Sequence, residues 1–288
     1  MIYIIIPTYN RVEVCNNFIN QLKNQTYQDF KVILIDHGSI KTGIPSSDKI
    51  TVLQSNVNGW AKAINIGLRF IMDKEKTNDD YVLIINDDVT IENDYLLNVH
   101  QSILEKPEAI LGTCCINEKN NKTLRVAIKI NKLKAKNIYI YQNIYYDEIP
   151  QEFIISDLLT GKGTVIPLSV LNLIGIYDEV HLPHYKADHE IIWRAKKKGV
   201  PIYSSKKMRL FTKADQKRPQ KSASFFDNLK FMLIDMRSTY NIKDLFFYSF
   251  DCFNVFYAIY YFTVNVFRYI LGNSYLHFKS RNKEIESQ

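Results

Sequence analysis

Residues 2–11 read IYIIIPTYNR, a short apolar run followed by a proline and then by polar and aromatic side chains. Residues 32–39 (VILIDHGS) and 81–88 (YVLIINDD) repeat this change, and each apolar part is long enough for a buried strand. In an open α/β sheet, ligands bind in the crevice outside the carboxyl ends of the strands. The three polar clusters therefore predict one shared site, and they suit a nucleotide held together with a metal ion.

Segments with helical periodicity separate the apolar runs. Apolar residues recur at helical spacing in the ranges 12–22, 60–72 and 94–104. Strands that alternate with helices in this way are typical of a mostly parallel sheet with right-handed crossovers. Residues 116–150 are rich in Lys and Asn and then in Tyr, and we interpret them as an insertion or a β excursion. Residues 185–198 predict a further helix.

Length and composition indicate a globular protein. The chain has 288 residues, of which 46% are hydrophobic and 23% charged, enough for one large α/β domain or a domain with an appendage. Its four cysteines form no CxxC pair, which suggests reduced thiols in a cytosolic protein. The first apolar run is too short for the h-region of a signal peptide, so we interpret it as a strand.

The positive charge is concentrated in one part of the chain. The formal net charge is +7, and residues 194–238 contain 13 Lys and Arg against three Asp. Such a run is either a solvated surface or a site that attracts anionic lipid headgroups or a phosphate-bearing acceptor. Nucleic acid fits less well, because no zinc, helix-turn-helix or RNP-like pattern accompanies the basic residues.

The segment 245–271 is strongly aromatic and nearly uncharged. Sixteen residues without a charge lie between Asp251 and Arg268, whereas a bilayer span needs about 20 predominantly apolar residues. Three interpretations stay open: a helix packed on the rest of the protein, a helix on a membrane surface, and a true span.

The polar clusters also identify a family. The motifs PTYNR at 7–11, NG at 58–59 and NDDV at 86–89 closely resemble the nucleotide-sugar-binding half of family 2 glycosyltransferases. Further along, GKGTVIP at 161–167 and LPHYKAD at 182–188 look like the acceptor half of that family. An ordered set of motifs at family-like spacings is far more specific than any one of them.

The resemblance implies a GT-A fold: α/β, with a Rossmann-like, mostly parallel central sheet flanked by helices. It covers residues 1–205, with a nucleotide-sugar-binding half at 1–115 and an acceptor half at 116–205. Residues 206–288 would form a helical, basic and aromatic C-terminal appendage, associated with a membrane or packed on the domain.

The activity that the resemblance implies is inverting glycosyl transfer, of the hexosyltransferase type. A nucleotide diphosphate sugar would be the donor, and a saccharide or lipid-linked saccharide of a surface polysaccharide the acceptor. The expected location is the cytoplasm, peripheral to the inner face of the cell membrane.

Donor binding is expected at the carboxyl ends of the first strands. By resemblance, the wall around the base consists of Pro7, Thr8, Tyr9 and Asn10. Asp36 is expected to accept hydrogen bonds from the base edge. Asn58, Gly59 and Lys62 lie where a loop and the following helix approach the nucleotide, and the free N–H groups of a helix N-terminus favour phosphate.

The resemblance places a Mg²⁺ or Mn²⁺ ion on Asp88, with Asp87 as a second candidate ligand. The family usually has an acidic residue where this chain has Asn86. A late histidine that often joins the metal site has no counterpart near residues 211–213, and His184 is the candidate to replace it.

The expected general base is Asp188, which would take the proton of the acceptor hydroxyl. Its neighbour Ala187 stands where the family commonly has Glu. If the helix begins by His184, that side chain and Asp188 share one face. Lys162, His184 and Tyr185 are the candidates for acceptor binding. On a different face, Glu190 and Arg194 predict a structural ion pair, and Trp193 is expected in the core.

Two other functions compete with this interpretation. A nucleotidyltransferase on a similar sheet is disfavoured, because the Gly-rich loop with Arg that such enzymes carry after the first strand is absent. A non-catalytic nucleotide-sugar-binding partner that has kept the fold is the stronger alternative, since Asn86 and Ala187 replace acidic residues.

Overall fold

The protein is built around a nine-stranded sheet. A computed structural model describes residues 1–74, 79–213, 225–236 and 238–285. The strands are β1 (Ile2–Thr8), β2 (Phe30–Asp36), β3 (Ile50–Gln54), β4 (Tyr81–Ile84), β5 (Ile110–Asn117), β6 (Thr123–Arg125), β7 (Ala127–Asn131), β8 (Lys136–Ile140), β9 (Phe153–Ile155), β10 (Thr164–Pro167) and β11 (Ile202–Thr212). The helices are α1 (Val12–Lys23), α2 (Trp60–Lys74), α3 (Tyr95–Glu105), α4 (Leu168–Ile174), α5 (Ala187–Lys197), α6 (Phe225–Ile234), α7 (Ile242–Cys252) and α8 (Val255–Ile285).

The sheet is mostly parallel, as the sequence predicts. Its order is β3-β2-β1-β4-β10-β5-β11-β9, with β6 paired to β5. The pairs β1–β2, β2–β3, β1–β4 and β5–β11 are parallel, whereas β10 runs antiparallel to both of its neighbours. The carboxyl ends of β1, β2 and β4 therefore meet at one edge, which is where the three polar clusters lie.

Strand β1 is buried on both faces, which explains its unbroken apolar sequence. Successive side chains point to opposite faces of a strand. Tyr3 and Ile5 pack with α2 on one face, whereas Ile4 and Ile6 pack with α1 and α3 on the other. Two apolar layers thus hold the strand ends in register beneath the polar clusters.

The segment predicted as an insertion or a β excursion is a β excursion. Strand β6 adds to the sheet edge at β5, and β7 and β8 form a separate antiparallel hairpin. The main sheet continues past the expected boundary at residue 205, because β11 pairs with β5 as far as Thr212. Residues 214–224 and 237 of the basic stretch 194–238 lie outside the described residues.

The C-terminal region is helical, as expected, and one side of it packs on the core that contains α2 and α5. Leu245 and Tyr248 of α7 and Tyr261 of α8 are buried in the same core cluster as α2 and α5. Of the helices that the structure describes, none combines the length and apolar character needed to cross a membrane. The four cysteines are buried free thiols.

Candidate active site

The ends of β1 and β4 are joined by a buried hydrogen bond. Thr8 Oγ1 donates to Asp87 Oδ2 at 2.7 Å, across a parallel pair in which Ile5 lies opposite Ile84. Thr8 lies three residues after Ile5, and Asp87 lies three residues after Ile84. The strand pairing therefore places the two side chains next to each other. Asp87 is buried, whereas the neighbouring Asp88 side chain is 42% exposed.

Arg11 neutralises both carboxylates of this cluster. Its Nη2 lies 2.6 Å from Asp87 Oδ1 and its Nη1 lies 3.3 Å from Asp88 Oδ2. Burial raises the pKa of Asp87, and the charge of Arg11 and the hydrogen bond from Thr8 offset part of that rise. Asp87 Oδ1 accepts no hydrogen bond of ordinary geometry from the described residues, so its short contact with Arg11 is an ion pair.

Asp36 is oriented by the loop that follows β2. Its Oδ2 accepts hydrogen bonds from the Thr42 amide at 2.7 Å and from Thr42 Oγ1 at 3.0 Å. Its Oδ1 is buried and has no hydrogen-bond donor in the part of the chain that the structure describes. A buried carboxylate oxygen without a donor is costly. This arrangement suits a carboxylate that accepts a hydrogen bond from a ligand.

The other residues predicted to surround the nucleobase differ in whether their side chains are free to contact it. The Tyr9 ring is 51% exposed and lies 5.2 Å from the ring of His37, so it offers a free aromatic surface. Asn10 instead holds the β2 loop, because its Oδ1 accepts the Ile40 amide at 2.8 Å. Pro7 is buried within β1, opposite Ile35. Tyr9 and Asp36 are therefore the residues best placed to contact a base.

One N–H group at the N-terminus of α2 is already occupied, contrary to the expectation of free N–H groups there. The Ala61 amide donates to the Pro183 carbonyl at 3.0 Å, so the acceptor-half loop occupies this position. Gly59 permits the approach: its φ is +126°, and a Cβ there would lie 2.7 Å from the Pro183 oxygen. Asn58 is exposed beside this junction.

Lys62 is half-buried and lies near the acceptor half. Burial alone would raise the pKa of Glu179, but hydrogen bonds from Arg69 and Asn65 and the charge of Lys62 lower it. Lys62 thus acts on Glu179, and no described contact ties it to the three polar clusters.

Trp60 connects the two halves of the site, a role that sequence reasoning missed. Its Nε1 donates to Asn86 Oδ1 at 2.9 Å, and its ring packs edge-on against Tyr177 at 5.4 Å. The ring also covers Gly161, where a Cβ would lie 2.4 Å from Trp60 Cζ2. Asn86, which replaces the usual acid, therefore positions an indole.

Asp188 is anchored at the start of α5. Its Oδ2 accepts the Gly161 amide at 3.2 Å and its Oδ1 accepts the His189 amide at 2.9 Å. A series of contacts thus connects Asn86 to Asp188 through Trp60 and Gly161. The predicted general base is therefore connected, through Gly161 and Trp60, to Asn86 at the carboxylate cluster.

The expectation that His184 and Asp188 share a helical face is wrong. Helix α5 begins at Ala187, and Lys186 before it has a left-handed φ of +64°. His184 therefore belongs to the preceding loop, where its ring meets that of Tyr185 edge-on at 4.6 Å. The left-handed turn reorients the chain between the two positions.

Lys162 lies between the two glycines of the 161–163 loop. Its Nζ donates to Thr212 Oγ1 at 3.2 Å, at the end of β11. The Lys162 ammonium therefore lies near residues 211–213, where the resemblance to family 2 would place a late histidine.

The structural interpretations of α5 are confirmed. Arg194 Nε donates to Glu190 Oε1 at 2.9 Å, and Arg194 Nη1 also donates to the Ile174 carbonyl at 2.7 Å. Trp193 is partly buried against the core and lies edge-on to Phe253 at 5.3 Å. These side chains stabilise the helix that carries Asp188.

The carboxylate cluster fits a hard divalent cation, provided that a ligand completes the coordination. No group of three His, Cys, Asp or Glu side chains converges to hold a metal ion among the described residues. Magnesium is commonly held by one or two carboxylates together with substrate phosphates and water. Asp88 is the exposed carboxylate that can supply such a ligand, whereas Asp87 Oδ1 is buried against Arg11.

Sequence reasoning assigned no role to Arg11 or Trp60, although both lie within or next to quoted motifs. Arg11 directly follows the polar cluster after β1, and Asp87 and Asp88 follow the neighbouring strand β4. This arrangement is a sequence signal that the arginine neutralises the two carboxylates. A tryptophan that follows Asn58-Gly59 at a helix start is a weaker signal, because its partners at 86 and 161 are distant in sequence.

Comparisons with known proteins identify the family of this chain. The model of the family described as "Glycosyl transferase family 2" matches residues 3–158. The glycosyltransferase GlyG of Streptococcus pneumoniae serotype 4 is 25% identical over 121 residues, covering 39% of this chain and 38% of GlyG. An uncharacterised glycosyltransferase of Haemophilus influenzae is 36% identical over 104 residues, covering 33% of this chain and 39% of the relative. The chain thus spans well under half the length of these curated relatives.

Solved structures show the fold. GalNAc-T7, crystallised with UDP, GalNAc and Mn²⁺, superimposes with a TM-score of 0.59 at 11% identity, covering 78% of this chain and 45% of that one. Residues 1–349 of S. aureus TarS, in complex with UDP-GlcNAc, give a TM-score of 0.55 at 13% identity, covering 87% and 66%. The fold is GT-A, as the sequence motifs imply. The chain belongs to glycosyl transferase family 2.

Proposed function

We propose that this protein is an inverting glycosyltransferase that moves a sugar from a nucleotide diphosphate sugar to a saccharide or lipid-linked saccharide acceptor. One observation carries the proposal. A series of contacts connects the carboxylate cluster at the end of β4 to Asp188. Trp60 donates a hydrogen bond to Asn86, and its ring covers Gly161. The Gly161 amide in turn donates a hydrogen bond to Asp188. Inverting transfer needs a charge-neutralising group and a base on opposite sides of one sugar.

The donor would lie across the carboxyl ends of β1, β2 and β4. Asp36 Oδ1 would accept a hydrogen bond from the base, and the exposed Tyr9 ring would stack on it. Solved relatives of the same fold hold UDP, or UDP-GlcNAc, in their crystals.

The diphosphate leaving group would develop negative charge beside Asp87 and Asp88. When bound there, Mg²⁺ or Mn²⁺ supplies the electrostatic stabilisation of that charge. Asp88 is the exposed ligand and Asp87 the buried one, whereas Arg11 is a cation already present beside both. Arg11 would remain next to the diphosphate and stabilise its developing charge.

Asp188 would accept the proton of the acceptor hydroxyl. As the hydroxyl oxygen bonds to the anomeric carbon, the bond from that carbon to the diphosphate oxygen breaks on the opposite face. Two backbone amides orient the Asp188 carboxylate. A positioned carboxylate of this kind contributes about 10² to 10⁴ in rate.

The acceptor would approach past the loop of His184 and Tyr185, with Lys162 at its edge. A growing surface polysaccharide on a lipid carrier fits a family 2 enzyme, and it would place the protein at the cytoplasmic face of the cell membrane.

A screen of nucleotide sugars by thermal shift, with and without Mn²⁺, tests the donor part directly. A bound donor stabilises the fold in proportion to the logarithm of its concentration over its dissociation constant. We expect one nucleotide class to raise Tm, more strongly with Mn²⁺, and to be hydrolysed slowly to the nucleoside diphosphate. Tight binding without hydrolysis, and without transfer to any acceptor, would favour the non-catalytic binding partner instead. No Tm response to any nucleotide sugar would overturn both functions.

A further inference from the structure

Helix α8 is apolar on two sides. Its buried side, which includes Ala258 and Tyr261, packs on the core. On the opposite side, Phe256 is 89% exposed, and Ile259 and Phe267 are also exposed. A helix with one partner in a soluble domain normally has a polar outer side. Three large apolar side chains that no described residue covers therefore mark an interaction surface.

The β7–β8 turn extends this surface. Leu133, at the tip of the turn, is 89% exposed and lies between Lys132 and Lys134, which are exposed as well. Residues 119–136 contain seven Lys and Arg, and residues 119–146 contain no Asp or Glu. An exposed leucine within a run of lysines is an unusual tip for a hairpin.

Side chains of α8 hold the turn in place. Tyr257 donates its hydroxyl to the Lys132 carbonyl at 3.1 Å, and Tyr260 donates to the Leu133 carbonyl. Arg268 donates to the carbonyls of Lys134 at 2.7 Å and Ala135 at 2.9 Å. Hydrogen bonds therefore fix the turn to the helix, with basic residues next to apolar ones.

We propose that this surface, which we call the hairpin–helix face, docks the protein on a membrane that contains anionic lipid. It consists of Leu133, Lys132, Lys134, Phe256, Ile259 and Phe267. Leu133 and Phe256 insert among the headgroups, and the lysines pair with lipid phosphates.

The positive charge of the hairpin–helix face favours an anionic membrane over a second copy of this chain. A second copy of this chain would bring two lysine-rich turns together, which costs energy through like-charge repulsion. An anionic bilayer is complementary to the lysines and also accepts the apolar side chains. The inference rests on the proposed function only in that a lipid-linked acceptor gives membrane contact a purpose.

Vesicle co-sedimentation of the full chain, without donor or acceptor, tests the proposal. We expect binding to vesicles of phosphatidylglycerol and phosphatidylcholine, with little binding to phosphatidylcholine alone and a decrease with salt. Leu133→Glu should weaken partitioning at least ~10-fold, because it removes an inserted apolar group and adds a repelled charge. Lys132→Gln and Lys134→Gln should each weaken it about fivefold.

Leu104→Glu is the matched control, because Leu104 is 67% exposed on α3, outside this face. It should leave vesicle binding unchanged. Parent and Leu133→Glu should have the same Tm and the same affinity for UDP or GDP, so that loss of vesicle binding is separable from failure of the proposed catalysis.

Three results would overturn the proposal. The first is equal vesicle binding by the parent and Leu133→Glu. The second is no binding of the parent to anionic vesicles. The third is a parent that sediments as a dimer without lipid while Leu133→Glu is a monomer, since the face would then be an interface between copies.

Discussion

Arg11 and Asp87 form an ion pair at the base of the carboxylate cluster, with 2.6 Å between Arg11 Nη2 and Asp87 Oδ1. Asp87 is buried, whereas the Arg11 side chain is 36% exposed and also reaches Asp88. A buried carboxylate needs a counter-charge, and here the protein supplies its own. The cluster can therefore keep its geometry when no other cation is present.

Arg11→Met should lower Tm in the presence of a chelator by a few degrees. Removing the guanidinium leaves Asp87 as a buried charge without a partner, and partial solvation of Arg11 limits the loss to roughly 1 kcal/mol. For a domain of this size that corresponds to about 2–4 °C. Millimolar Mn²⁺ should close the gap between variant and parent by replacing the lost charge.

Lys207→Met is the control, because Lys207 pairs with Glu105 at the surface, away from the cluster. Its Tm should change little and should not depend on Mn²⁺. The double variant Arg11→Met/Asp88→Asn should lose most of the Mn²⁺ response. If Arg11→Met is as stable as the parent in chelator, Arg11 is not the counter-charge of Asp87.

Asp36→Asn should weaken nucleotide binding by about 1.5 to 3 kcal/mol, roughly 10- to 150-fold, the range for hydrogen bonds to a charged group. The effect is expected because Oδ1 is the oxygen without a protein donor. Calorimetry with the nucleoside diphosphate found in the screen measures the change. Thr42→Val, which removes one hydrogen bond to Oδ2, is the comparison and should cost less. Equal affinity in the parent and Asp36→Asn would place the base elsewhere.

Asp244 gives a prediction for pH. Burial raises the pKa of Asp244 to about 6, against the opposing charges of Lys186 and Lys243. The folded state therefore binds this proton more tightly than the unfolded state, whose pKa is near ~3.9. The carboxyl costs nothing below that value, and its penalty grows as pH rises to about 6.

Asp244→Asn should therefore be more stable than the parent at pH 7.5, by up to about 3 kcal/mol. The difference should shrink to about 1 kcal/mol at pH 4.5. Urea unfolding at the two pH values measures it. Asp178→Asn should instead be less stable than the parent at pH 7.5, and this difference should shrink as the pH falls. The reason is that burial raises the pKa of Asp178, but hydrogen bonds from His181 contribute to a net lowering. A difference for Asp244→Asn that does not vary with pH would contradict the assignment.

The fold and the place of the site could be predicted because both depend on local pattern. Apolar runs marked β1, β2 and β4, and the rule for parallel sheets placed Asp36 and Asp87 at one edge. The start of α5 was missed because a left-handed Lys186 is not required by any local signal. The roles of Trp60 and of the Pro183 carbonyl were missed for another reason. Each depends on a contact between segments more than 20 residues apart.

Asp188→Asn tests the central claim most directly. The substitution keeps the size of the side chain and removes its basicity, so donor binding by calorimetry should be nearly unchanged while sugar transfer falls at least ~10²-fold. His184→Gln, measured alongside, should retain most of the transfer, since His184 lies in the loop before α5. Transfer by Asp188→Asn at close to the parent rate would contradict the account, and a loss confined to His184→Gln would move the base to that histidine.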